Sequence, residues 1–367
     1  MSTDGKSNEI LVYVGTYTKT TSKGIYRYRL DVSSGALEYL GVASGHEEPS
    51  FLAIDPEQRF LYAVNETDSY QGESSGAVSA FAIAPASGGE LTFLNKQPSR
   101  GAGPCHLSVD ASGRYVLVAN YSGGSVAMLP IQGDGSLGPA CDFVQHLGGS
   151  GATERQHRPH GHSITPSPDN RFAFAADLGL DQILVYQLDL EEGRLRSSAP
   201  PFVQLQPGAG PRHFAFHPKG RYAYGINEID NTFSAFNFDA ERGALEEFQV
   251  VSTLPADFAG TSHTADVHVH PSGKFLYGSN RGHESIVICA IDEASGRLTA
   301  VGHEPTQGEQ PRNFAIDPTG TLLFAANMKT ENIVSYWIDQ ETGSLDPTGL
   351  VTEVPTPVCL KMIVRSQ

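Results

Sequence analysis

The feature that most constrains the fold of this chain is a unit that occurs six times along it. Each copy contains a short turn, usually of the Pro-x-Gly-Arg type, and these turns begin at Pro56, Ala111, Pro168, Pro218, Pro271 and Pro318. A short polar residue follows nine positions after each turn start: Asn65, Asn120, Asp177, Asn227, Asn280 and Asn327. Seven positions before each turn start lie Pro49, Pro104, Gly161, Pro211, Thr264 and Pro311. Such constant spacing predicts one structural module used repeatedly.

Each unit has the pattern of four short strands. One apolar strand precedes the turn, a second such as "RYAYGIN" follows it, a third resembles "NTFSAFNFD", and a G-x-L segment opens the fourth. Apolar residues alternate within these strands, and helical periodicity is weak. The 39 glycines and 23 prolines are spread along the chain, as expected for strands joined by tight turns. Four antiparallel strands in about 50 residues are typical of a β-propeller blade.

The two ends of the chain complete a seventh unit. Residues 357–364, "PVCLKMIV", have the pattern of a first strand, and residues 10–45 have the pattern of the remaining three. Pairing the two ends would close the ring and remove free sheet edges. We therefore predict an all-β fold, a single seven-bladed propeller over residues 1–367, with blades starting near residues 49, 104, 159, 211, 264 and 311.

Charge and composition restrict the partners. The formal net charge of −16 argues against nucleic acid and anionic membranes. The N-terminus lacks the basic and apolar regions of a signal peptide, and no apolar run reaches the ~18 residues that span a membrane. The four cysteines have no C-x-x-C spacing, which indicates reduced thiols: Cys105, Cys141, Cys289 and Cys359. These features predict a cytoplasmic protein with no nucleic-acid or membrane partner.

The repeat also predicts where polar side chains meet. In a propeller the first strand of each blade lines the central channel, so its start and the end of the second strand lie at the same mouth. Antiparallel pairing is expected to place Arg212 opposite Glu228, and His213 opposite Asn227. The same construction brings further polar residues to this mouth: Cys105, His106, Tyr121, His162, Asp177, Asp266, Arg281, Arg312, Asn313 and Asn327.

Six residues expected at this mouth form a candidate site, because polar groups that converge in a concave region are typical of binding and catalytic sites. They are His160, His162, Arg212, His213, Glu228 and Arg281. The recurring asparagines are interpreted as caps of strand ends. The turn arginines are interpreted as solvated or turn-bracing side chains: Arg59, Arg114, Arg171 and Arg221.

The motifs together resemble a known family. "YVGTYT", "RPHGHS", "DLGLDQI", "GAGPRHFAFHPKGRYAYGINE", "LYGSNRGHESI" and "QPRNFAIDPTGTLLFAAN" resemble the lactonase family of seven-bladed propellers, over residues 10–364. That family includes bacterial 6-phosphogluconolactonases and fungal carboxy-cis,cis-muconate lactonizing enzymes. The resemblance implies a site built from His160 or His162, Arg212, Glu228 and Arg281. Where the family commonly has a segment similar to "AEIH", this chain has "TADVHVH", so Asp266 replaces a longer glutamate.

The resemblance implies hydrolysis of a small anionic sugar lactone, with 6-phospho-D-glucono-1,5-lactone as the first candidate. A neutral imidazole of His160 or His162 would act as general base. Arg212 would hold either the oxyanion or the anionic group of the substrate, and Arg281 is a second anion-binding candidate. Glu228 would orient Arg212, relay a proton or form a structural salt bridge. Further substrate contacts are expected from His213, His106, Asp177 and Asn327.

Other functions stay open at this point. The same residues could serve a cycloisomerase that acts on carboxymuconate-type dicarboxylates, and many propellers are non-catalytic binding modules. His157, His160 and His162 also suggest a zinc site, but the neighbouring arginines repel a cation, and calcium prefers several carboxylates and carbonyls. We therefore predict no metal and no cofactor. The expected state is a monomer or weak homo-oligomer.

Overall fold

The computed structural model describes residues 9–84 and 87–365. Its strands up to the middle of the chain are β1 Glu9–Thr16, β2 Gly24–Asp31, β3 Ala36–Ser44, β4 Leu52–Ile54, β5 Phe60–Asn65, β6 Ala77–Ala84, β7 Glu90–Pro98, β8 Pro104–Val109, β9 Tyr115–Asn120, β10 Ser125–Pro130, β11 Asp142–Gln145, β12 Gly161–Pro166, β13 Phe172–Asp177, β14 Gln182–Asp189 and β15 Arg194–Gln204. The remaining strands are β16 Pro211–Phe216, β17 Tyr222–Asn227, β18 Thr232–Asp239, β19 Ala244–Ser252, β20 His263–Val269, β21 Phe275–Arg281, β22 Ser285–Ile291, β23 Leu298–Pro305, β24 Pro311–Ile316, β25 Leu322–Asn327, β26 Asn332–Ile338, β27 Leu345–Glu353 and β28 Pro357–Arg365. A 3₁₀ turn, Glu154–Gln156, precedes β12.

These strands form seven four-stranded antiparallel sheets, which confirms the predicted propeller. Blades 1 to 6 take four consecutive strands each, from β4–β7 to β24–β27. Blade 7 has the order β28-β1-β2-β3, so both chain ends share it as predicted. Val12 pairs with Met362 on one side and with Tyr28 on the other. Within the described residues there is no helix with the length and apolarity needed to span a membrane.

The predicted pairing of the fourth blade is wrong. Pro211, not His213, lies opposite Asn227, and His213 lies opposite Ile226. The reason is a β-bulge, in which Arg212 is an extra residue with no partner across the hairpin. The same irregularity occurs at the same position of four other first strands, at Cys105, His162, Arg312 and Val358.

The bulges matter because they direct side chains into the channel. Four of the bulged residues, Cys105, Arg212, Arg312 and Val358, line one narrow cavity together with Ser50, Phe51, Glu66 and His213. We call this space the central cavity. A regular strand would alternate its side chains between the two sheet faces, whereas a bulge re-aims one residue without changing the rest.

Recurring tyrosines join neighbouring blades. The Tyr13 hydroxyl donates to the Gly89 carbonyl at 2.8 Å, and Tyr62 donates to Gly135 at 3.0 Å. Tyr224 and Tyr277 make the same bond to the next blades. Gly89 has φ of +72°, and a Cβ there would lie 2.4 Å from the Tyr13 hydroxyl. The glycine of the G-x-L segment therefore permits both the turn and the close approach of the neighbouring blade.

Candidate active site

Glu228 lies at the centre of the candidate site. It follows Asn227, the last residue of β17, and its side chain is 5% exposed. Its Oε2 accepts a hydrogen bond from Arg212 Nε at 2.9 Å and lies 3.0 Å from Arg281 Nη2. Its Oε1 lies 2.7 Å from Arg155 Nη2. Three guanidiniums therefore surround one carboxylate at the mouth.

The charge state of Glu228 follows from these neighbours. Burial would raise its pKa, but the positive charges of Arg281, Arg212 and Arg155 outweigh burial and hold the pKa far below its usual value of 4.5. The carboxylate is thus ionised at neutral pH. It serves as a fixed counter-charge and is poorly suited to relay a proton.

Arg212 is fully enclosed and held on several sides. Besides Glu228, it donates from Nη1 to the Ala265 carbonyl, and its Nη1 lies 3.2 Å from His213 Nε2. Burial and the nearby charges of Arg312 and Arg281 lower its pKa to about 10. The guanidinium still carries its charge at neutral pH, but most of its donors are already occupied by the protein.

Asp266 fixes the orientation of His213. Its Oδ1 lies 2.7 Å from His213 Nδ1, while its Oδ2 accepts from His268 Nε2 and from the Asn313 amide. The Nδ1–H tautomer of His213 would leave Nε2 as the acceptor for Arg212. Burial and Arg212 lower the pKa of His213 to about 4. Asp266, which replaces the longer family glutamate, thus holds His213 in the orientation in which it contacts Arg212.

His162 is the histidine that faces this cluster. It occupies the bulge of β12, is buried, and its Nε2 lies 3.9 Å from Glu228 Oε2, which is too long for a direct hydrogen bond. Its Nδ1 lies 3.6 Å from Cys105 Sγ. Burial and the charge of Arg212 hold its pKa well below 6.5, so the imidazole is neutral at neutral pH.

His160 lies to one side of the mouth. Its ring stacks on Tyr121, with 4.5 Å between ring centroids, and its Nδ1 lies 3.0 Å from the Tyr121 carbonyl. The backbone N–H of His160 donates to Asp177 Oδ1 at 2.8 Å. The structure thus distinguishes the two histidines that the sequence left equivalent.

Three other predicted contact residues lie behind the mouth surface. Both Asp177 oxygens are occupied, because Oδ2 lies 2.6 Å from His146 Nδ1 and Oδ1 accepts backbone N–H groups. The Asn327 amide donates to the Thr306 carbonyl at 2.9 Å. The ring of His106 packs deeper in the channel, between Phe51 and His213. Asp177 and Asn327 support the loops of the site, and neither lines the central cavity.

Arg155 is a site residue that the sequence reading left without a role. It lies in the 3₁₀ turn, and its Nη2 also donates to the Tyr121 hydroxyl at 2.9 Å. The buried amide of Gln156 anchors this turn through hydrogen bonds to the Leu178 carbonyl and to Asp181 Oδ1. A sequence feature that could have pointed to Arg155 is the long segment 146–160 between β11 and β12. This segment lies outside the repeat and places the 3₁₀ turn at the mouth.

Glu66 and Tyr17 form a second polar group that the sequence reading missed. Each follows the last residue of a second strand, at the position that Glu228 occupies in blade 4. Tyr17 donates its hydroxyl to Glu66 Oε2 at 3.0 Å, and Ser50 Oγ donates to the same oxygen at 2.5 Å. The Arg312 guanidinium lies 5.6 Å from the centroid of the Tyr17 ring. Applying the repeat to the residue after each ring asparagine would have identified Glu66.

The mouth is electropositive although the whole chain is acidic. Four guanidiniums, Arg155, Arg212, Arg281 and Arg312, lie near three carboxylates, Glu66, Glu228 and Asp266. Among residues 9–84 and 87–365, no three His, Cys, Asp or Glu side chains are grouped as metal ligands, and all four cysteines are free thiols. This arrangement favours an anionic ligand.

Comparison with known proteins identifies the family. Residues 11–362 match the family model described as Lactonase, 7-bladed beta-propeller. The chain belongs to this family. It is 40% identical over 351 residues to a 6-phosphogluconolactonase of Bacillus subtilis strain 168, covering 96% of this chain and 97% of the relative. A 6-phosphogluconolactonase of Formosa agariphila is 35% identical over 311 residues, covering 83% of this chain and 86% of the relative.

A solved structure is also similar to this chain over nearly its whole length. The periplasmic gluconolactonase PpgL of Pseudomonas aeruginosa superposes with a TM-score of 0.92 at 35% identity, covering 98% of this chain and all of that one. The predicted resemblance to propeller-type lactonases is therefore confirmed. These similar proteins are named both for a phosphorylated and for an unphosphorylated sugar lactone.

Proposed function

We propose that this protein hydrolyses a sugar δ-lactone, with 6-phospho-D-glucono-1,5-lactone as the preferred substrate. The observation that carries the proposal is the neutral imidazole of His162 beside the buried group of Arg212, Arg281 and Glu228. A base and fixed positive charges in one concave site are what lactone hydrolysis requires. Family membership supports the same reaction class. A cytoplasmic location and a monomeric or weakly oligomeric state stay predictions.

In the proposed reaction, His162 Nε2 accepts a proton from water while the water oxygen bonds to the lactone carbonyl carbon. The carbonyl oxygen takes up the displaced electron pair and becomes an oxyanion, which the guanidiniums stabilise by their charge. When the carbonyl re-forms, the bond between that carbon and the ring oxygen breaks. His162 then returns its proton to the ring oxygen, and the product is an open-chain hydroxy acid.

The direct test is a lactonase assay with purified protein. We expect faster hydrolysis than in buffer for 6-phosphogluconolactone and for unsubstituted glucono-1,5-lactone, with a higher kcat/KM for the phosphorylated compound. Because the clustered guanidiniums repel divalent cations, we expect full activity in EDTA. Failure to accelerate either lactone would refute the proposal, while cycloisomerisation of a carboxymuconate would assign the site to the alternative reaction. Loss of activity in EDTA would point to a metal-dependent lactonase.

The pH dependence tests the protonation state of His162. A general base must be unprotonated, and burial with Arg212 lowers the pKa of this imidazole well below 6.5. We therefore expect kcat/KM to stay level from about pH 7 down through about pH 6.5, the usual imidazole pKa, and to fall only at clearly lower pH. Stopped-flow assays would limit the contribution of spontaneous hydrolysis. An acid limb centred at or above about pH 6.5 would contradict this assignment.

A further inference from the structure

Arg312 differs from the other arginines of the mouth in having its hydrogen-bond donors free. Arg155, Arg212 and Arg281 all contact Glu228, and Arg281 also donates to a backbone carbonyl. The Arg312 side chain makes no hydrogen bond and no ion pair with any residue that the structure describes, and its guanidinium lies over the face of the Tyr17 ring. A partly buried guanidinium without a protein partner is available to a ligand.

The position of Arg312 indicates where such a ligand would bind. Arg312 occupies the bulge of β24 and lines the central cavity together with Arg212, which occupies the equivalent bulge two blades earlier. The two positive charges repel each other, and this repulsion contributes to the lowered pKa of Arg212. An anion in the cavity between them would relieve the repulsion and satisfy the free donors of Arg312.

The other residues around the cavity restrict the kind of anion. Glu66 is held there by Tyr17 and Ser50, and its carboxylate would repel a phosphate dianion. Phe51 and Val358 make part of the lining apolar, and the cavity is narrow. A single carbonyl oxygen, or the charge that develops on it, fits these surroundings better than a phosphate group, while sugar hydroxyls can donate to Glu66.

We propose that Arg312 is a catalytic residue of the lactonase reaction that binds the lactone carbonyl oxygen and stabilises the oxyanion formed on it. This inference rests on the proposed function. It assigns the two halves of the mouth different tasks: His162 activates water, and Arg312 receives the charge that the attack creates. Arg212, locked by Glu228 and the Ala265 carbonyl, adds a fixed positive charge at the same cavity.

The test compares Arg312→Gln and Arg312→Ala with the wild type on both lactones. Removing one oxyanion donor typically costs about 10²–10³-fold in kcat, so we expect a loss of that size, equal for the phosphorylated and the unphosphorylated lactone. Added guanidinium chloride should restore part of the kcat of Arg312→Ala, since it supplies the missing group. Arg158→Gln is the matched control, because Arg158 is an exposed cation on the adjacent segment and should leave kcat unchanged.

Several outcomes would overturn the assignment. A raised KM confined to the phosphorylated lactone would make Arg312 a phosphate-binding residue, and an unchanged kcat in Arg312→Gln would remove it from the reaction. If Arg312 only supports the structure, its variants would lose kcat without rescue by guanidinium chloride. Urea unfolding of the variants would then show a loss of stability. If wild type hydrolyses neither lactone, the proposed function fails separately. In that case, calorimetric titration with sodium gluconate tests whether Arg312 binds an anion. Binding by the wild type that is lost in Arg312→Gln would support an anion site at Arg312. Equal binding by both proteins, or no binding by the wild type, would refute it.

Discussion

Glu228→Gln is expected to lower the free energy of unfolding by about 3–5 kcal/mol, the cost typical of breaking a buried ion pair from one side. The substitution keeps the size of the side chain but removes the carboxylate that, among residues 9–84 and 87–365, alone contacts Arg155, Arg212 and Arg281. Arg212 is fully enclosed and would be left as a poorly compensated buried charge. Urea unfolding, followed through the fluorescence of the one tryptophan, Trp337, measures the change.

The pH dependence of this difference has a defined sign. The pKa of Glu228 is lowered in the folded protein from its usual 4.5, because the three arginines outweigh burial. Its stabilising contribution is therefore fully present above about pH 4.5 and is lost as the pH falls towards the folded-state pKa. We expect the gap between wild type and Glu228→Gln to be constant near neutral pH and to narrow in acid.

A surface ion pair provides the matched control for this effect. Glu309→Gln removes the same charge from an exposed pair with Lys329, whose side chains are 51% and 66% exposed. Solvent screens such pairs, so this variant should unfold close to wild type. If Glu228→Gln were no less stable than Glu309→Gln, the ion pairs of Glu228 with Arg155, Arg212 and Arg281 would not stabilise the fold.

The propeller was predictable because its signal is repeated. Six blades carry the same kind of turn and a short polar residue at the ring position, and all seven carry a G-x-L segment, so an ambiguity in one copy is resolved by the others. The β-bulge was not predictable from the repeat, because the spacing between the recurring turn and ring residues is the same with or without a bulge. One extra residue at Arg212 and His162 moves these side chains into the channel, and only the observed register shows this.

The candidate site was predictable where it follows the repeat and was missed where it does not. Arg212, Glu228 and Arg281 lie at repeat positions and were grouped correctly by position alone. Arg155 comes from a segment inserted between two blades, whose path depends on tertiary anchors such as Gln156. Asp177 shows the converse, since it occupies a ring position in the sequence while its carboxylate is turned away to His146. Position in a repeat therefore predicts where a residue lies in the fold, but it does not predict which residue its side chain contacts.

His162→Gln is expected to lower kcat by about 10²–10⁴-fold, the usual contribution of a general base, while His160→Gln keeps most of the activity. His162 is a neutral imidazole whose Nε2 faces the ion cluster at 3.9 Å from Glu228. His160 instead stacks on Tyr121 and directs Nδ1 to its carbonyl. Steady-state assays of both variants on 6-phosphogluconolactone, with the unfolding midpoint as a check of folding, make the comparison.

The pH profile separates a catalytic from a structural loss in these variants. If His162 is the base, the residual activity of His162→Gln should lose the acid limb seen in wild type, whereas His160→Gln should retain it. If His162 has only a structural role, His162→Gln would lower kcat but keep the acid limb, because the limb would then come from another group that is still present. The opposite ranking, with His160→Gln the more damaged enzyme, would transfer the base to His160 and would require the Tyr121 stack to open when substrate binds.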